Sequence, residues 1–146
     1  MSKSDSAESN ILKLIFNATA WANVADNAAT SPLTNLFIAL HTADPGDAGT
    51  QATSEATYTG YARVSVARTS GGWTVSGTSP SQAANAALVA FAACTAGSNT
   101  ITFVSVGVAS SGATAILYSG ALTASLAVSA GITPQFAIGA LVATED

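Results

Sequence analysis

The sequence predicts a mainly β protein: an antiparallel β-sandwich of jelly-roll type, about eight strands, with one N-terminal α-helix. Three observations lead there. After residue 34, apolar residues tend to alternate with polar ones, the period of a strand with one covered face. Clusters of Gly, Pro, Ser and Asn punctuate the chain at the short intervals of a sandwich or barrel. An amphipathic helical stripe stands out at the beginning. No internal repeat of fixed period is visible, which argues against a solenoid. The chain, at 146 residues, can bury one core without metals or disulfides. Residues 1–9 read as a polar arm, and residues 10–146 as a single β-sandwich domain that includes the helix.

The helix is predicted over residues 6–21. Asp5 and Glu8 have capping-box spacing. Ile11, Leu14, Ile15 and Ala18 recur along one face, widened by Leu12 and Phe16, and the helix is expected to end near Trp21. Residues 22–34 read as a loop. Residues 36–42 form a compact apolar strand, cut by the turn Asp44-Pro45-Gly46, where Pro sets φ and Gly supplies freedom. Residues 47–59 read as a surface loop of small polar residues. Residues 61–68 alternate, with Ala62, Val64 and Val66 on one face and Arg63 and Ser65 on the other. Turns at 70–72 and 77–82 flank a short strand, Trp73–Ser76. The Ala-rich segment 85–93 suits helix or strand, and strand is preferred on context. Residues 101–109 place Val104, Val106 and Val108 on one face. Strands then follow at 115–122 and 126–128, and the last, 132–143, places Phe136, Ile138, Ala140 and Val142 together.

Composition narrows the function. Hydrophobic residues make up 49% and mean hydropathy is +0.42, so the chain should fold, yet only 8% of residues are charged, against about 25% in ordinary domains. Such a surface loses little side-chain entropy on association and opposes close contact with little charge repulsion. Net charge is −4, and the basic residues are Lys3, Lys13, Arg63 and Arg68. They cannot form the basic stripe that nucleic acid requires. Cys94 is alone and reads as a small core residue. The polar start lacks signal-peptide character, and no apolar run is long enough for a membrane helix. An amphipathic helix whose one basic residue is Lys13 fits docking better than a membrane surface.

Catalytic patterns are weak. His41 is the single histidine, at the end of an apolar strand near Asp44. A triad with a serine would need a local signature that is missing, so His41 is expected to be a hydrogen-bonded strand-end residue. The carboxylates lie in predicted loops without paired spacing. Asp44, Asp47 and Glu55 could converge on a calcium ion, but their spacing matches no known loop and Asp44 reads as a turn residue. Glycines occur without the Lys of a phosphate loop. Trp73, Tyr58 and Tyr61 could stack on a sugar, though strand aromatics are more often core or interface. Arg63, in a chain so poor in cations, is expected to pair with a carboxylate or backbone carbonyls. No enzyme activity and no cofactor is expected.

Four segments in order carry a resemblance. They are Leu36-Phe-Ile-Ala-Leu-His-Thr-Ala-Asp-Pro-Gly46, Gly60-Tyr-Ala-Arg63, Trp73, and Ile116-Leu-Tyr-Ser-Gly-Ala-Leu122, after a helix containing Ile11-Leu-Lys-Leu-Ile-Phe16. The pattern resembles a family of small tailed-bacteriophage virion proteins, of head-decoration (cement) or tail-fibre-like type. It departs from that family at 95–99 and in the Ala-rich segment 83–93. The resemblance marks Ile11, Leu14, Ile15, His41, Asp44, Pro45, Gly46, Tyr61, Arg63 and Trp73 as structural or interaction residues. It implies a capsid decoration subunit that stabilises the shell from the exterior of the head, made in the bacterial host cytoplasm. The major capsid protein and a second or third copy of itself would be its partners, with no nucleic acid or membrane. A tail or tail-fibre component contacting the host receptor is the alternative, and a phage-borne glycan hydrolase is the third reading, without the carboxylate pair it would need.

Overall fold

The computed structural model describes residues 3–22, 24–28, 31–78 and 80–145. Positions 1–2 of the expected arm, 23, 29 and 30 of the expected loop, and 79 of the expected turn lie outside them. The described residues contain one helix and nine strands, and the strand pairings with a defined register are antiparallel. This is the mainly β architecture expected, and it is consistent with a jelly-roll type. Backbone contacts divide the chain into two compact units, Met1–Asn35 with Ala67–Val89 and Phe136–Asp146, and Leu36–Val66 with Ala90–Gln135.

In the first unit, helix α1 (Asp5–Asn17) packs on a three-stranded sheet. Strands β3 (Trp73–Ser76), β4 (Ser81–Asn85) and β9 (Val142–Glu145) lie in the order β3-β4-β9. The helix starts one residue earlier than a box at Asp5 implies. Ser4 is the N-cap, and its Oγ accepts the Ala7 N–H at 3.3 Å. The buried line is Glu8, Leu12 and Phe16, four residues apart, whereas Ile11, Leu14 and Ile15 are half-buried beside it. The Phe16 ring meets Trp73 edge-on, with centroids 4.7 Å apart. Docking these two rings sets the helix rotation, and the aliphatic residues follow. Glu8 accepts the Ser81 N–H at 3.4 Å.

The helix ends at Asn17, short of the expected Trp21, and Arg68 supplies the reason. A further turn would direct the amides of residues 18 and 19 to the carbonyls of Leu14 and Ile15. Arg68 donates to both carbonyls at 2.7 Å, and to Leu33 at 2.7 Å. Ala18 turns left-handed instead (φ 52), and Thr19 N–H closes back on the Lys13 carbonyl.

Asn85 explains why the Ala-rich and last strands are shorter than predicted. Its Nδ2 donates to the carbonyls of Ala87 and Ala137, both at 2.8 Å, and its Oδ1 accepts the Leu141 N–H at 2.9 Å. Held this way, residues 137–141 form a turn with Gly139 at φ 76 rather than a strand. The expected final face is reversed: Ile138 and Val142 are exposed, while Leu141 and Ala143 are buried. The expected strand 85–93 is reduced to the end of β4 and β5 (Val89–Ala90), which pairs with β8 (Gln135–Phe136).

The second unit is built on the order β2-β1-β6-β7, from β2 (Val64–Ala67), β1 (Asn35–His41), β6 (Asn99–Gly107) and β7 (Ile116–Val128). Strand β1 is covered on both faces, with Leu36 and residues 38–41 buried, as a near-continuous apolar run should be. In β6 the expected valine face is the less buried one: Ile101 and Ser105 are buried, and of the valines only Val106 is. The two expected strands 115–122 and 126–128 are one. No Gly or Pro stands between them, and a bulge absorbs the irregularity: Phe103 faces Ala121 but Ile101 faces Leu126. Cys94 is buried, as expected.

Replacing Ala18 by Gly should stabilise the protein. The left-handed conformation costs an L-residue roughly 1–2 kcal/mol. A glycine's extra freedom in the unfolded chain gives back about 0.4–1 kcal/mol of that. The expected net gain is up to about 1.6 kcal/mol in urea denaturation, and a loss would show that φ 52 is unstrained.

Candidate functional site

The residues that carry the resemblance divide between the units. Ile11, Leu14, Ile15 and Trp73 belong to the first, and His41, Asp44, Pro45, Gly46, Tyr61 and Arg63 to the second. Of the second group, Tyr61 and Arg63 belong to a buried polar cluster around Glu55. Arg63 sits one residue before β2 rather than on a strand, and is 8% exposed. A guanidinium has five N–H donors and no acceptor, so each needs a partner. Nε and Nη2 grip the two carboxylate oxygens of Glu55 at 2.7 and 2.8 Å. Nη2 also donates to the Gly112 carbonyl at 2.8 Å, and Nη1 to the Ala109 carbonyl at 3.0 Å. Nη1 further reaches Thr114 Oγ1 at 3.2 Å and Gln51 Oε1 at 3.3 Å. Arg63 thus makes both kinds of contact expected of it. The Glu55 pairing raises its pKa, so the group stays charged.

Three neighbours complete the cluster. Tyr61 Oη donates to Glu55 Oε1 at 2.9 Å and accepts the Leu40 N–H at 3.0 Å. Burial, reinforced by Glu55, pushes its pKa above the usual range and keeps the phenol a donor. Gln51 is fully buried, contrary to the expectation that residues 47–59 skim the surface. Its Nε2 donates to the Phe37 carbonyl at 2.9 Å while Oε1 accepts from Arg63 and from Thr114 Oγ1. Ala56 and Tyr58 are buried from the same segment. A methyl group on Gly107 would stand 2.1 Å from Gln51 Cδ, so the cluster requires glycine there.

His41 lies at the end of β1, fully buried. Its Nδ1 is 2.8 Å from the Thr53 carbonyl, which can only accept, so Nδ1 carries the proton. Nε2, 2.7 Å from Ser105 Oγ, therefore accepts the hydroxyl proton. Burial holds the imidazole below its ordinary value of 6.5; the Thr53 carbonyl and Glu55 oppose this, and Arg63 reinforces it. A serine hydroxyl on a histidine nitrogen is the geometry of an activated nucleophile. Here a carbonyl rather than a carboxylate orients the ring, and Ser105 is 1% exposed.

Asp44 is not the third member. Its Oδ1 accepts the Gly46 N–H at 2.9 Å, closing the predicted turn with Gly46 at φ 69 and Pro45 buried. Since Asp44 serves the turn and Glu55 serves Arg63, the suggested calcium set of Asp44, Asp47 and Glu55 does not assemble. No cluster of three metal-ligating side chains occurs among the described residues. The aromatic platform does not form either: Trp73 is 1% and Tyr58 3% exposed. Tyr58 donates to the Ala92 carbonyl and meets Tyr61 edge-on, and Tyr61 stacks on Phe91. Gln51, Gly107, Thr114 and Arg68 escaped sequence reasoning. The signal available was Arg63 itself, because a buried guanidinium obliges several acceptors to converge.

The profile of one protein family, described as podophage GP4 fiber I protein gp80, matches residues 2–144. No curated protein matches the chain. The matched span contains α1 and every residue of the Arg63 cluster.

Two outcomes follow from the cluster. Glu55→Gln should lower stability by about 3 kcal/mol or more, because it strands a buried cation. By contrast, Lys3→Ala, which breaks the partly exposed Lys3–Glu145 pair at 2.8 Å, should cost less than about 1 kcal/mol; urea denaturation at neutral pH compares them. The second outcome concerns pH. The fold prefers neutral His41, so the unfolded chain binds the extra proton. Stability is therefore full above the unfolded pKa of about 6.5 and declines as pH falls below it toward the folded value. His41 is the sole histidine. The urea midpoint should fall between about pH 7.5 and about pH 5.5, and His41→Gln should flatten that dependence.

Proposed function

The chain belongs to the podophage GP4 fiber I protein gp80 family, and we propose from this that it is a fibre subunit on the outside of a podophage particle, in contact with the host surface. It is a bacteriophage structural protein of the virion. The observation that carries the finer reading is the family match, which runs over nearly the whole chain. Of the two positions weighed from the sequence, the family description supports the fibre over head decoration.

The physical character of the chain agrees with a structural role. Its histidine, its arginines and most of its buried polar groups are engaged in holding strands, turns and the helix end. From residue 69 to residue 144 it contains no Asp, Glu, Lys, Arg or His. Such a surface assembles through apolar contact and main-chain hydrogen bonds, with little charge repulsion to overcome. On this reading the partners are other copies of the chain and neighbouring virion proteins, and no catalysis is involved. The Ser105–His41 pair, enclosed as it is, serves to anchor β1 to β6.

Quantitative mass spectrometry of purified virions, with gold-labelled antibody to this chain, tests the position. A low copy number with gold at the tail is the expected result. Copies in the hundreds, with gold over the heads, would replace the fibre by a decoration subunit bound to the major capsid protein.

A further inference from the structure

We draw no further inference here: the strongest candidate, the uncharged face of the sheet β3-β4-β9 turned away from α1, where Thr74, Ala84 and Val142 stand abreast, carries none because nothing in the structure shows what covers it.

Discussion

The buried pairing of Arg63 with Glu55 is the constraint on which the second unit depends. Taking a guanidinium out of water costs several kcal/mol, and its side chain is 1% exposed. Only a full set of acceptors offsets that cost. The carboxylate supplies two, and the carbonyls of Ala109 and Gly112 supply two more from the turn between β6 and β7. The path of that turn, the placement of Glu55, the buried amide of Gln51 and the absence of a side chain at Gly107 are all conditions of one satisfied cation. Removing any of them leaves a buried charge or a buried donor unpaired, which costs more than the contact contributes when intact.

Arg68 plays the corresponding part in the first unit by a different means. It takes the carbonyls at the end of α1, where the helix dipole and unpaired acceptors favour a cation. Both arginines are thus turned inward, to serve the architecture. A chain with two arginines and two lysines that places both arginines this way keeps little positive charge for its surface. The long uncharged run from residue 69 onward is the other side of the same economy, and it suits a particle component whose contacts are permanent. Isolated proteins ordinarily rely on mixed surface charge to remain apart.

His41 shows how geometry alone misleads. Its 2.7 Å contact with Ser105 has the spacing of a catalytic pair. Chemistry also needs access, an orienting anion and a place for the substrate. His41 is instead neutral, fully buried and oriented by a carbonyl, arranged to join β1 to β6 and to the loop carrying Thr53. The same residues that a motif search would flag are, physically, a hydrogen-bonded brace inside the sheet.

Much of this was legible in the sequence, and the remainder divides along one physical line. Local stereochemistry reads directly: the turn Asp44-Pro45-Gly46, the strands at 35–41 and 73–76, the helix and its approximate start, and the mainly β class all follow from dihedral preference and hydrophobic period. Composition made Arg63 stand out and required partners for it. Decisions made by distant residues could not be read. Asn85 breaks the final strand through residues 137–141, Arg68 stops the helix near residue 17, and docking Phe16 on Trp73 moves the buried line away from Ile11, Leu14 and Ile15. The bulge joins two expected strands into β7, and the acceptors of Arg63 come from positions up to 51 residues away. The sequence by itself determined which segments could be strand, turn or helix, and that one buried cation would need company. Only the tertiary structure decided where each element ends and who that company is, because those are settled by polar groups that must find partners across long stretches of chain, and no local pattern records which partner is nearest.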